Sequence, residues 1–280
     1  MQPDAIVARR PGTLRATREQ ENGAMLLRAS RRLAFLILPW AVLIALWYLV
    51  RVSGLVRPSL VPTPYEVVTK WWWLVSTNGF LIDMWMSTQR VLFGVTIGII
   101  CAVPIGFALG WYRPVRTFVD PLINFFRALP PIALIPLVIV YFGIGEVAKI
   151  VILFYASFFA GVIVMYEGIS QINPIFIRVA RTLGARDMEI FWRVIVPMAV
   201  PHMLTALRVA LGVCWATLVA SELIAAHRGL GAVIQDASSF FQLDTIYAGI
   251  VTIGGIALIM DYLLRRLSRR LVSWQERIGG

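Results

Sequence analysis

The sequence predicts an all-α integral membrane protein, and three of its features support that fold class. Of the 280 residues, 59% are hydrophobic, and the mean hydropathy is +0.78. A soluble domain of this composition would expose too much apolar surface to stay dissolved. Several apolar runs reach the 18 or more residues that cross about 30 Å of hydrocarbon. These runs are continuously apolar rather than alternating, which indicates helices and not the strands of a barrel.

Six apolar runs divide the chain into spans. The first is too long for the core of a signal peptide, so we expect it to remain in the protein as a helix. Six spans place both termini on the same side of the membrane. In this division residues 1–32 form a polar N-terminal tail, and residues 33–280 form a single transmembrane domain. The expected spans are residues 33–52, 90–111, 119–142, 147–167, 201–224 and 245–267.

The basic residues predict which side faces the cytoplasm. The formal net charge is +11, and most of the 26 lysines and arginines lie on one side of the six spans. They occupy the tail, the turn after the second span, the loop after the fourth span and the end of the chain. Cytoplasmic segments carry such an excess of positive charge, so both termini are expected to be cytoplasmic. This distribution also argues against a nucleic-acid-binding patch.

On the opposite side, the long connection over residues 53–89 is expected to hold one short helix. Pro64 can open this helix, because proline is well accommodated at the first helical position. The helix would carry Trp71, Trp72 and Trp73. Tryptophan is enriched where a membrane meets water, so we expect an interfacial helix over residues 65–75.

No pattern in the sequence predicts catalysis. There is no Gly-x4-Gly-Lys-Ser/Thr loop to hold nucleotide phosphates, and His202 and His227 have no metal-binding spacing. No Ser-His-Asp set or pair of carboxylates stands out. The chain is therefore not expected to be an enzyme or to bind a cofactor or a metal. Work done across the membrane must then be driven by a gradient or by a partner protein.

The loop between the fourth and fifth spans, residues 168–200, predicts a short amphipathic helix. Asn173 can cap this helix and Pro174 can occupy its first position, while Pro197 and Pro201 should break the segment that follows. From the residues alone, the helix either docks on a partner or belongs to an ordinary cytoplasmic linker. The docking residues would be Arg178, Ala180, Arg181, Leu183, Gly184, Ala185 and Arg186.

The third span is a candidate translocation pathway. Pro130, Pro131 and Pro136 each remove a backbone donor, and the freed carbonyls need protein or water as partners. The span therefore either lines a pathway or packs as a kinked helix.

Three ionisable residues within spans are further pathway candidates, because a buried charge is costly and indicates function. Arg127 and Arg208 could attract an anion, or they could extend to the cytoplasmic interface. Glu222 would repel an anion, so we expect it to order the outer gate or to contact a partner; a hydrogen-bonded helix end is the alternative.

Small residues within spans predict helix packing. Cys101 and Cys214 both lie in apolar spans and are expected to pack there rather than to form a disulfide. The second span has glycines at a spacing that lets helices approach closely, and packing within the chain is favoured over a seam between chains. These glycines are Gly94, Gly98, Gly106 and Gly110.

Several motifs resemble those of a known family. The run over residues 178–185 with Pro197 resembles the Glu-Ala-Ala-x3-Gly-x9-Ile-x-Leu-Pro signature of bacterial ATP-binding-cassette importer permeases. Ala180, Gly184 and Pro197 match, whereas Arg178 replaces the glutamate. Residues 127–137, 141–146, 207–212, 215–224 and 228–231 are similar to the nitrate/sulfonate/taurine permeases, and residues 269–274 resemble the taurine branch.

The resemblance implies a permease subunit that imports a small anion, taurine or another organosulfonate, across the bacterial inner membrane. Nitrate, bicarbonate or an aromatic carboxylate is the alternative substrate. The expected partners are two cytoplasmic subunits that hydrolyse ATP with magnesium, a second copy of the permease, a periplasmic substrate-binding protein and membrane lipid.

A function of a different class is a gradient-driven secondary transporter. Such a transporter needs ion ligands or a protonatable acid near the middle of the membrane. The acidic residues of this chain cluster toward the ends of its spans, which counts against that function.

Overall fold

The computed structural model describes residues 37–54, 57, 60–77, 79–225 and 227–272, and within these ranges all regular secondary structure is helical. The predicted all-α membrane fold is confirmed. The predicted tail, residues 1–32, lies outside the described residues, and its separation from a single transmembrane domain stays a prediction. The helices are α1 Ile37–Val52, α2 Pro64–Thr77, α3 Phe80–Trp111, α4 Arg113–Ala128, α5 Pro131–Phe142, α6 Glu146–Ser170, α7 Pro174–Thr182, α8 Asp187–Ile190, a π-helical turn Phe191–Ile195, α9 Val196–Ala225, α10 Leu230–Ser239 and α11 Leu243–Leu271.

The chain divides into two compact units, residues 1–66 and residues 67–280. In the first unit, the loop after the apolar helix α1 ends in a capping box. The Glu66 carboxylate accepts from the Thr63 amide at 2.7 Å, and the Thr63 hydroxyl accepts from the Glu66 amide at 3.2 Å. These bonds start α2 at Pro64, as the sequence predicts. The interfacial position of α2 stays a prediction.

In the second unit, α6 packs against both α3 and α9. Leu153 of α6 is fully buried in one cluster with Val91 of α3 and Leu218 of α9. Toward the other end of α6, Met165 is fully buried in a second cluster with Phe107 of α3. Lipid tails are as apolar as these side chains, so close packing holds the helices together rather than exclusion from water.

Glycines on α3 let α6 approach it closely, which confirms that these glycines pack within the chain. A Cβ atom at Gly98 would lie 1.9 Å from Ser157 Oγ and 3.0 Å from the Phe158 amide nitrogen. The Ser157 hydroxyl also donates to the Gly94 carbonyl at 2.9 Å. The same face continues at Gly106, where a Cβ atom would lie 2.4 Å from Met165 Cβ.

The second predicted span begins earlier than expected. The sequence assigned residues 53–89 to an outer connection, but α3 already begins at Phe80. Within this stretch Asp83 and Ser87 are polar, and Arg90 opens the predicted span. All three are buried and bonded to other protein groups, so the helix can include them.

The third predicted span is broken. Helices α4 and α5 meet at 92°, with Leu129 in an extended conformation and Pro130 between them. A residue before proline avoids the helical region, which explains the position of the break. Pro136, in contrast, lies within α5 without ending it.

The number of spans follows from these bounds. Among the described residues, four helices are long and apolar enough to cross a membrane: α3, α6, the continuous helix Asp187–Ile224 and α11. The bent α4–α5 pair could be a fifth, and α1 is a shorter apolar helix. The predicted count of six stays a prediction.

The expected break at Pro197 and Pro201 is wrong, because the helix from Asp187 to Ile224 is continuous. Pro197 cannot donate to the carbonyl four residues earlier, and its ring would crowd that carbonyl. The π-helical turn Phe191–Ile195 directly precedes it and widens the helix there. Local π geometry of this kind can accommodate such a disruption without ending a helix.

The close contact between α3 and α6 can be tested with Gly98→Ala. We expect the added methyl group to lower the free energy of unfolding by about 1–3 kcal/mol, because the backbone of α6 leaves it no space. The measurement is thermal unfolding of the purified protein in detergent. Gly212→Ala is the matched control, since a Cβ atom there meets nothing within 4 Å. Equal changes in the unfolding temperature of the two variants would contradict a close contact between α3 and α6 at Gly98.

Candidate functional site

Between α6 and α9, the helix α7 and the turn that follows it form a compact knob, and the knob begins as its sequence predicts. Asn173 Oδ1 accepts from the Ile175 amide at 3.0 Å, which confirms the predicted cap of α7. The helix ends in a Schellman motif, in which the Ala185 amide donates to the Ala180 carbonyl at 3.1 Å and Gly184 donates to Arg181 at 3.0 Å. Gly184 has φ +85°, a conformation that favours glycine.

The knob presents an apolar tip surrounded by positive charge. Leu183 at the tip is 82% exposed, and Val179 is half exposed beside it. Among the predicted docking residues, Ala180 and Ala185 face inward, toward the cluster that contains Ile190. The others are exposed: Arg178, Arg181, Leu183, Gly184 and Arg186. The structure therefore brings the whole predicted set into one helix and its following turn.

At the bend between α4 and α5, no other described part of the chain covers a large apolar face. Arg127, Pro130 and Pro136 are exposed and Pro131 is half-buried. Phe118 and Val140 are also exposed, by 78% and 79%. The Tyr155 hydroxyl of α6 donates to the Phe126 carbonyl near the end of α4. Carbonyl groups that lose their helical partner at a break need another donor, and this bond supplies one for the Phe126 carbonyl.

Arg208 is bound to another helix. Its Nε donates to Asp261 Oδ1 of α11 at 2.5 Å, and Arg265 donates to the same carboxylate. Arg208 and Glu222 both lie on α9, separated by about 21 Å along the helix axis. The predicted pathway residues are therefore not gathered at one site within this chain.

Glu222 lies at the centre of a buried polar network. Its Oε1 atom is 2.5 Å from Arg90 Nη1, and it accepts from the Ser87 hydroxyl at 2.8 Å. Arg90 also donates through Nε and Nη2 to the two oxygens of Glu146, each at 2.6 Å. Lys149 adds a second cation, 2.9 Å from Glu146. Arg90 and Glu222 are almost inaccessible to solvent, so α3, α6 and α9 meet at a paired and hydrogen-bonded charge cluster.

The same network binds the loop that begins α10. The Gly229 amide donates to Asp83 at 3.0 Å, the Leu230 amide to Ser87 at 2.9 Å, and the Gly231 amide to Glu222 at 2.8 Å. Two of these three amides at the start of α10 thus face carboxylates, which the helix dipole favours, and the third faces a hydroxyl group. A Cβ atom at Gly229 would lie 2.6 Å from Glu222 Oε1, so only glycine allows this approach.

Sequence reasoning found Glu222 but missed its partners. Arg90 was placed at the edge of a span, and Lys149, Ser87 and Asp83 were not considered. A usable signal was present, because Arg90 and Lys149 interrupt apolar runs as Glu222 does. Cations and anions within spans pair with one another, so this signal indicates Arg90 as a candidate partner of Glu222 and Lys149 as a further cation of the network.

Comparison with known proteins gives the class that this fold and these sites define. Residues 94–273 match the family described as "Binding-protein-dependent transport system inner membrane component". A Brucella abortus protein named as an ABC transporter permease is 44% identical over 241 residues, which cover 86% of this chain and 95% of that protein. The taurine transport system permease protein TauC of Escherichia coli is 37% identical over 254 residues, 89% of this chain and 92% of TauC.

A solved structure shows the same fold. The MetNI methionine ABC transporter, in an inward-facing conformation, matches with a TM-score of 0.62 at 20% identity. The match covers 69% of this chain and 96% of that one. The chain belongs to the family of binding-protein-dependent inner-membrane transport components, which are the permease subunits of ABC importers.

The buried network can be tested with Glu222→Gln. The amide group cannot accept all the hydrogen bonds that the carboxylate takes from Ser87, Arg90 and Gly231. Breaking a buried ion pair costs about 3–5 kcal/mol, and we expect the lower end because Arg90 keeps Glu146. The measurement is unfolding of the purified protein in detergent.

Asp187→Asn is the control for this variant, because it breaks an exposed ion pair with Arg181. Exposed pairs contribute less than about 1 kcal/mol. The importance of burial would be contradicted if the two substitutions destabilised the protein equally.

Proposed function

We propose that this chain is the permease subunit of an importer for taurine or another organosulfonate, with ATP hydrolysed by partner subunits. Membership of the permease family supports the class of function. The substrate class rests on one observation above others, the 37% identity to the taurine permease TauC over nearly the whole of both chains. The membrane in question would be the bacterial inner membrane, with both termini in the cytoplasm.

We assign the knob formed by α7 and its Schellman turn to coupling with the ATPase subunits. An exposed leucine at the tip of a folded turn favours burial in a partner. The exposed cations around it, Arg178, Arg181 and Arg186, would favour a groove with acidic edges. The knob leads through α8 into the continuous helix Asp187–Ile224. That helix is about 57 Å long, so it could carry a displacement from the knob to the network at Glu222.

We assign the uncovered face of α4 and α5 to a seam with a second copy of the permease. The face combines large exposed apolar side chains with a proline break, and two such faces could enclose a pathway. Arg127 would then be a cation beside the bend, able to bind a sulfonate through charge-assisted hydrogen bonds. Pro130, Pro131 and Pro136 would shape the pathway through the bend.

The coupling role predicts that Leu183→Glu weakens binding of the ATPase subunits. The substitution removes the apolar side chain at the tip of the knob. It also places a negative charge among the arginines that are proposed to meet the acidic edges of the groove. We expect co-purification of the ATPase with the full-length permease to fall at least about tenfold, the effect of losing about 1.4 kcal/mol of binding free energy.

The control for this experiment is Phe240→Glu, which makes the same change at another exposed apolar side chain, at the end of α10. Full ATPase recovery with this control would show that the loss is local to the knob. Undiminished recovery with Leu183→Glu would refute the coupling role.

The substrate class predicts which solute drives ATP hydrolysis. The permease, its ATPase subunits and its binding protein would be reconstituted in liposomes, and uptake of labelled taurine and ATP hydrolysis measured together. We expect taurine or another organosulfonate to be accumulated, and excess nitrate or bicarbonate to leave that uptake unchanged. Accumulation of nitrate or bicarbonate instead would refute the substrate class. Uptake by the permease alone, driven by a proton gradient, would refute the class of transporter.

A further inference from the structure

A cleft between α9 and α11 carries positive charge that the functions above do not use. The cleft encloses about 190 Å³. Three guanidinium groups line it, from Arg208 on α9 and from Arg265 and Arg269 on α11. The hydroxyl-bearing residues Thr205 and Ser268 also line it, and leucines complete the wall. A small cavity with this lining suits an anion with several oxygen atoms.

The charges of the cleft do not balance. The Asp261 carboxylate accepts from Arg208 Nε at 2.5 Å and from Arg265 Nε at 2.7 Å. One carboxylate can neutralise only one of three guanidinium groups. Arg269 makes no ion pair with any other described residue. Among the described residues, two of the three positive charges therefore have no carboxylate of their own.

The arginines also keep free donors. A guanidinium group has five N–H donors, and Arg208 and Arg265 direct Nε and Nη2 toward Asp261. Their Nη1 groups and the whole of Arg269 remain available in this part of the chain. Guanidinium groups bind the oxygens of phosphate in a bidentate manner, and several of them around one cavity match a tetrahedral oxyanion.

We propose that this cleft binds the phosphate of an anionic phospholipid in the cytoplasmic leaflet. The cleft lies toward the arginine-rich end of α11, which is expected to face the cytoplasm. Ile259, Leu263 and Leu267 follow one another along α11 and are about half exposed, so acyl chains can pack beside the headgroup. Basic pockets between membrane-spanning helices bind acidic headgroups on that side. A free phosphate or sulfonate shares the oxyanion chemistry but has no use for this apolar strip.

The test compares lipid retention by purified full-length permease variants. Native mass spectrometry would measure phosphatidylglycerol against phosphatidylcholine after exchange from mixed micelles. We expect Arg208→Gln combined with Arg269→Gln to lower the preference for phosphatidylglycerol roughly 25-fold, from about fivefold for each arginine. Arg269→Gln alone leaves the contacts of Asp261 intact, and it should lower the preference about fivefold even if the double variant fails to fold.

The matched control is Arg266→Gln combined with Arg270→Gln. It removes the same charge from the same end of α11, at exposed residues that do not line the cleft. An unchanged preference in the control, with loss in the cleft variants, supports the site. An equal loss of preference in both double variants would show that the preference comes from the general positive charge of the surface, and it would overturn the proposal.

Two further outcomes would also overturn it: no loss in either cleft variant, or displacement of the lipid by millimolar phosphate or taurine. The second outcome would assign the cleft to a soluble anion. Neither outcome depends on which substrate the importer carries, so the proposal can fail while the proposed function holds.

Discussion

The buried guanidinium group of Arg90 requires three helices to meet at one point. A charge with so little access to water is stable only when anions and hydrogen-bond acceptors surround it. Glu146 supplies two oxygens from α6, and Glu222 supplies one from α9. A shift of one helix along another would leave a buried charge unpaired, so this cluster specifies the register of α3, α6 and α9 more strictly than apolar packing could.

The glycine face of α3 and this network have complementary effects. Gly98 and its neighbours set how closely α3 and α6 approach, but apolar contacts alone can slide by a turn at low cost. The ion pairs at one end remove that freedom. At the other end, the continuous helix Asp187–Ile224 leads to the exposed knob. A helix whose register is fixed by ion pairs at one end, and which leads to an exposed knob at the other, is suited to transmit force.

The predictability of each feature depended on whether its cause was local in sequence. The cap at Asn173 follows from adjacent residues, and the sequence predicts it. The prolines of the third span predict a kink, but not that the helix breaks at Pro130 and continues through Pro136. The partner Arg90 lies on another helix, 132 positions from Glu222. Charged residues that interrupt apolar runs indicate the candidates for such a pairing, but no local pattern shows which of them meet. The failed prediction at Pro197 has a different cause, because a π-helical turn absorbed a disruption that a regular α-helix could not.

The pairing of the arginines distinguishes among the candidate pathway cations. Arg208 shares the Asp261 carboxylate with Arg265, so its Nε and Nη2 groups already bind within the fold. Within the described part of the chain, the side chain of Arg127 makes one hydrogen bond, at 3.4 Å to Asn124, a neutral side chain on its own helix. A transported anion would meet Arg208 beside the negative charge of Asp261, whereas Arg127 has no carboxylate partner among the described residues. Of the two arginines predicted for the pathway, the proposed role is therefore better supported for Arg127, whose place beside the proline break puts its charge where α4 and α5 change direction.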